Sequence, residues 1–246
     1  YLRYVIFILL YTALLFTKSR SGLLAFGIYA AVFWTLTFIK GTPFRLERGP
    51  LSMFLAVVTI VIFLVPNPIR DLVFRKAPAP SVQLQGTSLE TGGTESGQIR
   101  KIVWKGAILA WTGSFKNFLI GTGPETFAQA YYQYRPVEHN QTSEWELLYN
   151  KAHNEFLNQL TTTGILGLTS YLILLCAMLF NFKFLIFNLK SISNSIQISN
   201  FKFQIIGLLA GWLSILVTNF WGFSVVITQL LLFLMPAMAV VLQDEN

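Results

Sequence analysis

Charge is scarce in this sequence. Asp, Glu, Lys and Arg make up 12% of its 246 residues, about half the share of an ordinary soluble domain. A soluble globular enzyme is disfavoured on that ground. Intrinsic disorder is excluded, because 54% of the residues are hydrophobic and disordered chains are poor in them. Cysteine is nearly absent: Cys176 stands alone, which rules out a disulfide framework and any multi-cysteine zinc site. Histidine is limited to His139 and His153. There is no HExxH, no P-loop and no GxSxG serine elbow, and the acidic residues form no evident metal cluster.

Long apolar runs fill the chain instead. A helix crossing the hydrocarbon core needs about 20 mostly apolar residues. Six stretches approach this: Tyr1 to Thr17, Gly22 to Ile39, Leu51 to Val65 (short, extending through Pro66), Gly164 to Phe182, Phe203 to Trp221 and Phe223 to Leu242. The expected fold is all-α, a polytopic transmembrane bundle of about six spans with one large, mostly helical extracytoplasmic loop. The expected division is 1–66 for three spans, 67–163 for the loop and 164–246 for three more. The chain starts with Tyr1 and has no signal-peptide n-region, so it reads as the C-terminal part of a longer protein.

The formal net charge of +7 gains meaning from its placement. Lys40, Arg45 and Arg48 sit in one short loop, and Lys183, Lys190 and Lys202 in another. Both loops are expected in the cytoplasm by the positive-inside rule. The turns at Lys18 to Ser21 and at Gly222 then face outside. So does the long segment from Asn67 to Thr163, whose acidic and basic residues nearly balance. Within it, Ala77 to Gly97 is rich in Pro, Ser, Thr and Gly and reads as a loop. Ile99, Ile102, Val103, Ala107, Ala110 and Trp111 have helical spacing and predict an amphipathic helix from Gln98 to Phe115. Gly121 to Pro124 predicts a turn, Glu125 to Tyr134 a helix, and Ser143 to Tyr149 a helical turn capped by Thr142 or Ser143.

Three residues could carry chemistry on that outer face. Arg20, at the outer end of two apolar spans, either snorkels to the interface or grips a phosphate with its guanidinium fork. Arg100 opens the amphipathic helix. It is either a solvated interface residue or a second pyrophosphate ligand. His139 reads as a hydrogen-bonded structural residue. His153 sits at the outside mouth of a span, beside Asn154 and Glu155, where a neutral imidazole could take a proton from an acceptor hydroxyl.

The order of these residues resembles the O-antigen ligase and Wzy-type polymerase superfamily, membrane glycosyltransferases of the bacterial envelope. Arg20-Ser-Gly-Leu-Leu24 has that superfamily's R-x3-L form. Ser96-Gly97-Gln98-Ile99-Arg100 followed by Trp104 is similar to its Arg-x3-Trp helix, with Gln98 and Ile99 as a departure. Phe118-Leu-Ile-Gly121-Thr-Gly123-Pro124-Glu-Thr-Phe127 resembles its Gly-x-Gly turn. His153 reaches Gly164 in the H-x10-G form. The resemblance spans roughly Lys18 to Phe180.

It implies transfer of a glycan from undecaprenyl pyrophosphate to an acceptor hydroxyl at the outer face of the bacterial plasma membrane. His153 would be the general base, and Arg20, Arg100 and Arg135 the pyrophosphate ligands, with no metal or other cofactor. The partners are the lipid-linked glycan, an acceptor glycolipid, glycan or protein, and the bilayer; nucleic acid is not among them. Ligase, polymerase and protein O-oligosaccharyltransferase share these motifs. The rival from another class is an envelope glycan or lipid transport protein, which would place ionisable residues within its spans or break its helices at matched positions.

Overall fold

The computed structural model describes residues 2–39, 48–65, 67–73, 96–188 and 196–244. The described residues are mostly helical, with no strand among them. Ten α-helices follow in order: α1 Leu2–Phe16, α2 Arg20–Ile39, α3 Arg48–Leu64, α4 Pro68–Val73, α5 Ser96–Thr112, α6 Phe115–Ile120, α7 Phe127–Tyr134, α8 Glu155–Asn188, α9 Ile196–Trp221 and α10 Val226–Asp244. A 3-10 turn at Val137–Gln141 follows α7. Most of the expected loop from Ala77 to Gly97 and most of the Lys40 to Pro50 loop lie outside the described residues; Ser96 and Gly97 open α5.

Among the described residues, three segments are long and apolar enough to cross a membrane: Arg20–Ile39, Glu155–Ile186 and Phe201–Trp221. Val5–Phe16, Met53–Leu64 and Val226–Leu242 are apolar but shorter. Three of the six expected spans thus coincide with helices long enough to cross, and the other three with apolar helices that fall short of that length. Side chains such as Leu9, Leu10, Ile60, Leu64, Ile173, Phe180 and Val226 are largely exposed on these helices. In water such surfaces would aggregate; in lipid they are solvated. The ends of α8 and α9 differ from the sequence expectation. Helix α8 begins at Glu155, well before Gly164, and α8 and α9 run into the Lys183 to Lys202 stretch expected as a loop. Lys183, Gln197 and Lys202 there are good helix formers though polar, so an apolar-run criterion misses these turns.

The chain forms two compact units. The first comprises 1–80, 182–217 and 232–246. Tyr11 and Leu15 of α1 and Val61 and Val65 at the end of α3 form a buried cluster there. Tyr11 packs against Phe26 of α2 with ring centroids 4.7 Å apart and the planes tilted by 37°. Pro236 lies inside α10 and has no N–H for the carbonyl of Leu232, one helical turn earlier. The buried Trp212 Nε1 of α9 donates to that carbonyl at 3.0 Å. An unpaired acceptor in hydrocarbon costs several kcal/mol, so this indole bond allows the proline and ties α9 to α10.

The second unit comprises 81–181 and 218–231. Its core is Ile99, Val103 and Ala107 of α5, Phe127 and Tyr131 of α7, and Ala152, with Tyr149 and Leu157 packed on it. The expected apolar face of α5 is therefore the buried one. Ser114 caps α6 by accepting from Asn117 N–H at 3.0 Å. Trp111 Nε1 donates to Phe118 O at 3.0 Å, closing the α5–α6 hairpin.

Two glycines fix how the turn after α6 meets α8. Gly121 has φ 74 and Gly164 has φ 68, the left-handed region that glycine enters without cost. Gly164 kinks α8. A Cβ on Gly121 would lie 2.3 Å from the Thr162 carbonyl carbon, and one on Gly164 would lie 2.4 Å from that of Leu119. The two backbones touch, and the touch is hydrogen-bonded: Thr122 N donates to Thr161 O at 3.0 Å and Gly123 N to Thr162 O at 2.9 Å. The kink leaves α8 carbonyls without helical partners, and these turn amides supply them.

Candidate functional site

His153 stands where α8 begins. Ala152 N donates to Asn158 Oδ1 at 3.4 Å, and Asn154 Oδ1 caps the helix by accepting from Leu157 N at 3.0 Å. Between these fixed neighbours His153 adopts φ 52. A left-handed backbone costs a non-glycine residue about 1–2 kcal/mol, and such strain gathers at functional positions. Glu155, next but one, is buried and engaged elsewhere. Its Oε2 accepts from Ser224 N at 2.9 Å and its Oε1 from Gln159 Nε2 at 3.0 Å.

The imidazole of His153 is half-buried between two rings. Tyr149 meets it edge-on at 5.2 Å, with 72° between the planes, and Phe223 at 5.1 Å and 90°. Among the described residues it makes no hydrogen bond. Burial pushes its pKa below the ordinary 6.5, the Arg100 guanidinium pushes it further down, and Glu144 pulls it up. The ring is therefore neutral at pH 7, with its lone pair available. Arg100, half-buried in the first turns of α5, is close enough to act on both His153 and Tyr149. The structure thus brings together two of the expected residues, Arg100 and His153.

The other two are placed differently. Arg135 ends α7, where its Nη2 donates to the Trp145 carbonyl and its charge acts on Tyr131 and His139. Its buried Nε has no hydrogen-bond partner among the described residues. Arg20 belongs to the first unit. Ser19 Oγ caps α2 by accepting from Gly22 N at 3.1 Å, which sets exposed Arg20 at the first position of the helix. Arg20 heads a groove of about 700 Å³ lined otherwise by Leu23, Leu24, Gly27, Ile28, Ala31 and Ile69. The lining is an apolar stripe at helical spacing along α2, closed by one residue of α4.

His139 is structural, as the sequence reading prefers. It is fully buried, with Nδ1 2.7 Å from Tyr131 Oη and Nε2 3.1 Å from the Glu144 carbonyl oxygen. A carbonyl only accepts, so Nε2 carries the proton and Nδ1 accepts from the tyrosine. The helical turn or two expected over Ser143 to Tyr149 does not extend into a regular helix. The segment is a series of turns, with Glu144 N donating to Thr142 Oγ1 at 3.3 Å and Leu147 N to Glu144 O at 3.0 Å. Carbonyls that a helix would use are taken instead by His139 and Arg135.

Sequence reasoning missed Glu144, Tyr149 and Phe223 as neighbours of His153. Tyr149 carried a faint signal, an aromatic residue one helical turn before the histidine. Phe223 carried none, being far away in sequence. Among the described residues, no three of His, Cys, Asp and Glu come together as metal ligands.

None of the curated proteins matches the chain. The family model described as O-antigen ligase matches residues 5–172, a span that runs from α1 through the loop to the middle of α8. It includes Arg20, Arg100, Arg135, His153 and the Gly121–Gly164 contact. With apolar helices of membrane-spanning composition, and a match over more than half its length, this chain belongs to the O-antigen ligase family, whose members are membrane glycan transferases.

Proposed function

We propose that the protein transfers a glycan from undecaprenyl pyrophosphate to an acceptor hydroxyl at the outer face of the bacterial plasma membrane. The observation that carries this reading is the half-buried imidazole of His153, which makes no hydrogen bond among the described residues and whose pKa burial and the Arg100 guanidinium push down. The imidazole takes the proton of the acceptor hydroxyl as its oxygen attacks the anomeric carbon. The bond from that carbon to the pyrophosphate oxygen breaks, and both electrons leave with the pyrophosphate. Arg100 stabilises the charge that develops there. Arg20 and Arg135 are the further pyrophosphate ligands. For Arg20, the apolar groove behind a cation suits a lipid tail behind an anionic head. Residues 67–163 are the extracytoplasmic loop, between spans in 1–66 and 164–246. The ligase reading is preferred here, with polymerase and protein O-oligosaccharyltransferase as readings that differ only in acceptor.

Arg20→Lys is expected to fail. Lysine keeps the charge and loses the fork that holds two oxygens at once. Transfer should fall at least about tenfold, measured as lipid-linked glycan consumed by membranes of matched protein content. Wild-type turnover in that variant would remove Arg20 from the phosphate site.

The pH profile tests the pairing of Arg100 with His153. A base works unprotonated, so activity should hold through neutral pH. It should fall only as pH drops through a pKa below 6.5. Arg100→Gln removes one of the two influences that depress that pKa, so the acidic limb should move to higher pH and the rate should drop. An unmoved limb contradicts the pairing. No metal enters this scheme, and turnover is expected to continue in excess EDTA; loss in EDTA with recovery on added magnesium would contradict it.

A further inference from the structure

The aromatic and acidic residues behind His153 form a continuous path from the core to the imidazole. It starts at Tyr131 of α7, fully buried against α5. Tyr131 Oη donates to His139 Nδ1, and His139 Nε2 donates to the Glu144 carbonyl. That fixes the Glu144 backbone to a buried histidine. The Glu144 carboxylate accepts in turn from Tyr149 Oη. The Tyr149 ring stands against His139 at 5.5 Å on one side and His153 at 5.2 Å on the other. Each link limits the freedom of the next, ending at the ring that carries the proposed chemistry.

We infer that Tyr149 and Glu144 are positioning residues for His153: Tyr149 sets the angle of the imidazole, and the Glu144 carboxylate both orients Tyr149 and balances the charge the imidazole gains on taking a proton. The inference rests on the proposed function above. Charge bookkeeping around His153 supports it. Lys151, two residues before, has its Nζ 2.6 Å from Glu125 Oε2. Glu155, two residues after, holds Ser224 N and Gln159. Arg100 and Glu144 remain as the charges acting on the imidazole, one against its protonation and one in favour. The acceptor proton arrives at His153 with Arg100 near the leaving group and Glu144 behind the base. The imidazolium is then flanked by one anion and gives its proton up to water or to the departing pyrophosphate.

The test uses the full-length protein in membranes, with lipid-linked glycan as donor, and compares wild type, Tyr149→Phe, Glu144→Gln and His153→Ala. Rates are read as kcat and KM across pH. Tyr149→Phe keeps the ring and loses only the bond to Glu144, so it should insert normally. A kcat lower by about 10- to 100-fold, with donor KM within twofold, is expected from misplacement of the base. Glu144→Gln removes the anion that favours the imidazolium, so kcat should drop and its acidic limb should move to lower pH, opposite to Arg100→Gln. A structural defect would lower the amount of active protein at every pH and leave the limb in place. An unmoved limb in Glu144→Gln, or a kcat within twofold of wild type in Tyr149→Phe, overturns the inference if His153→Ala is inactive. An active His153→Ala overturns the proposed function itself.

Discussion

His153→Ala is expected to lower glycan transfer by about 10²- to 10⁴-fold, the usual contribution of a positioned general base. Expression and membrane insertion should be unchanged, because the imidazole bonds to none of the described residues and is only half-buried. What the ring gives to packing is its contact with Tyr149 and Phe223, worth about 0.5–1.5 kcal/mol for an aromatic pair. The variant also relieves no strain, since alanine disfavours φ 52 as histidine does. The measurement is initial rate against total membrane-inserted protein. A rate within threefold of wild type would leave His153 as a helix-entry residue and nothing more.

The second large effect is on folding. In Gly164→Ala the new Cβ would lie 2.4 Å from the Leu119 carbonyl carbon and oxygen and 2.5 Å from Ile120 N. These are backbone atoms and cannot swing aside as a side-chain tip can. The left-handed φ adds about 1–2 kcal/mol to a clash that overpacking data put at about 1–3 kcal/mol. The bonds from Thr122 and Gly123 to α8 would stretch with it. A loss of about 3 kcal/mol is a large share of ordinary stability. Solubilised Gly164→Ala should therefore unfold several degrees below wild type and be cut faster in the loop by protease. An unchanged Tm would mean the turn and α8 do not meet as described. Gly121→Ala should match it, since its Cβ would strike Thr162 and Thr163 backbone atoms from the other side.

The two glycines show what motif reading finds and what it leaves unexplained. Gly121 and Gly164 stand out in the sequence as parts of two separate patterns. That they are one contact follows only from the fold, because backbone touching backbone leaves no side-chain signal. The helices were legible where one face repeats: the apolar residues of α5 come at helical spacing and are the ones buried. They were illegible where tertiary partners compete for backbone groups. Ser143 to Tyr149 has a capping residue and helix-tolerant composition, yet His139 and Arg135 take its carbonyls and hold it as turns. Pro236 would mark a helix end by local rules; α10 continues through it because Trp212 supplies the missing donor. For the site, Arg100 and His153 were recognisable by type and place. Glu144 and Phe223 reach His153 through folds of the chain that no local spacing encodes. Arg135 enters the sequence reading as a third cation beside the family's motifs, and the structure commits one of its nitrogens to the Trp145 carbonyl.

The most direct measurement follows donor and product together. The full-length gene, wild type or His153→Ala, is placed in a strain lacking its own copy. Surface glycan is read on a gel, and lipid-linked glycan is extracted and quantified. The account predicts that His153→Ala, at normal protein level, loses the surface conjugate or polymer and accumulates unconsumed lipid-linked glycan at the outer face. Wild-type surface glycan in that variant, with no accumulation of lipid-linked donor, would contradict transfer chemistry at His153.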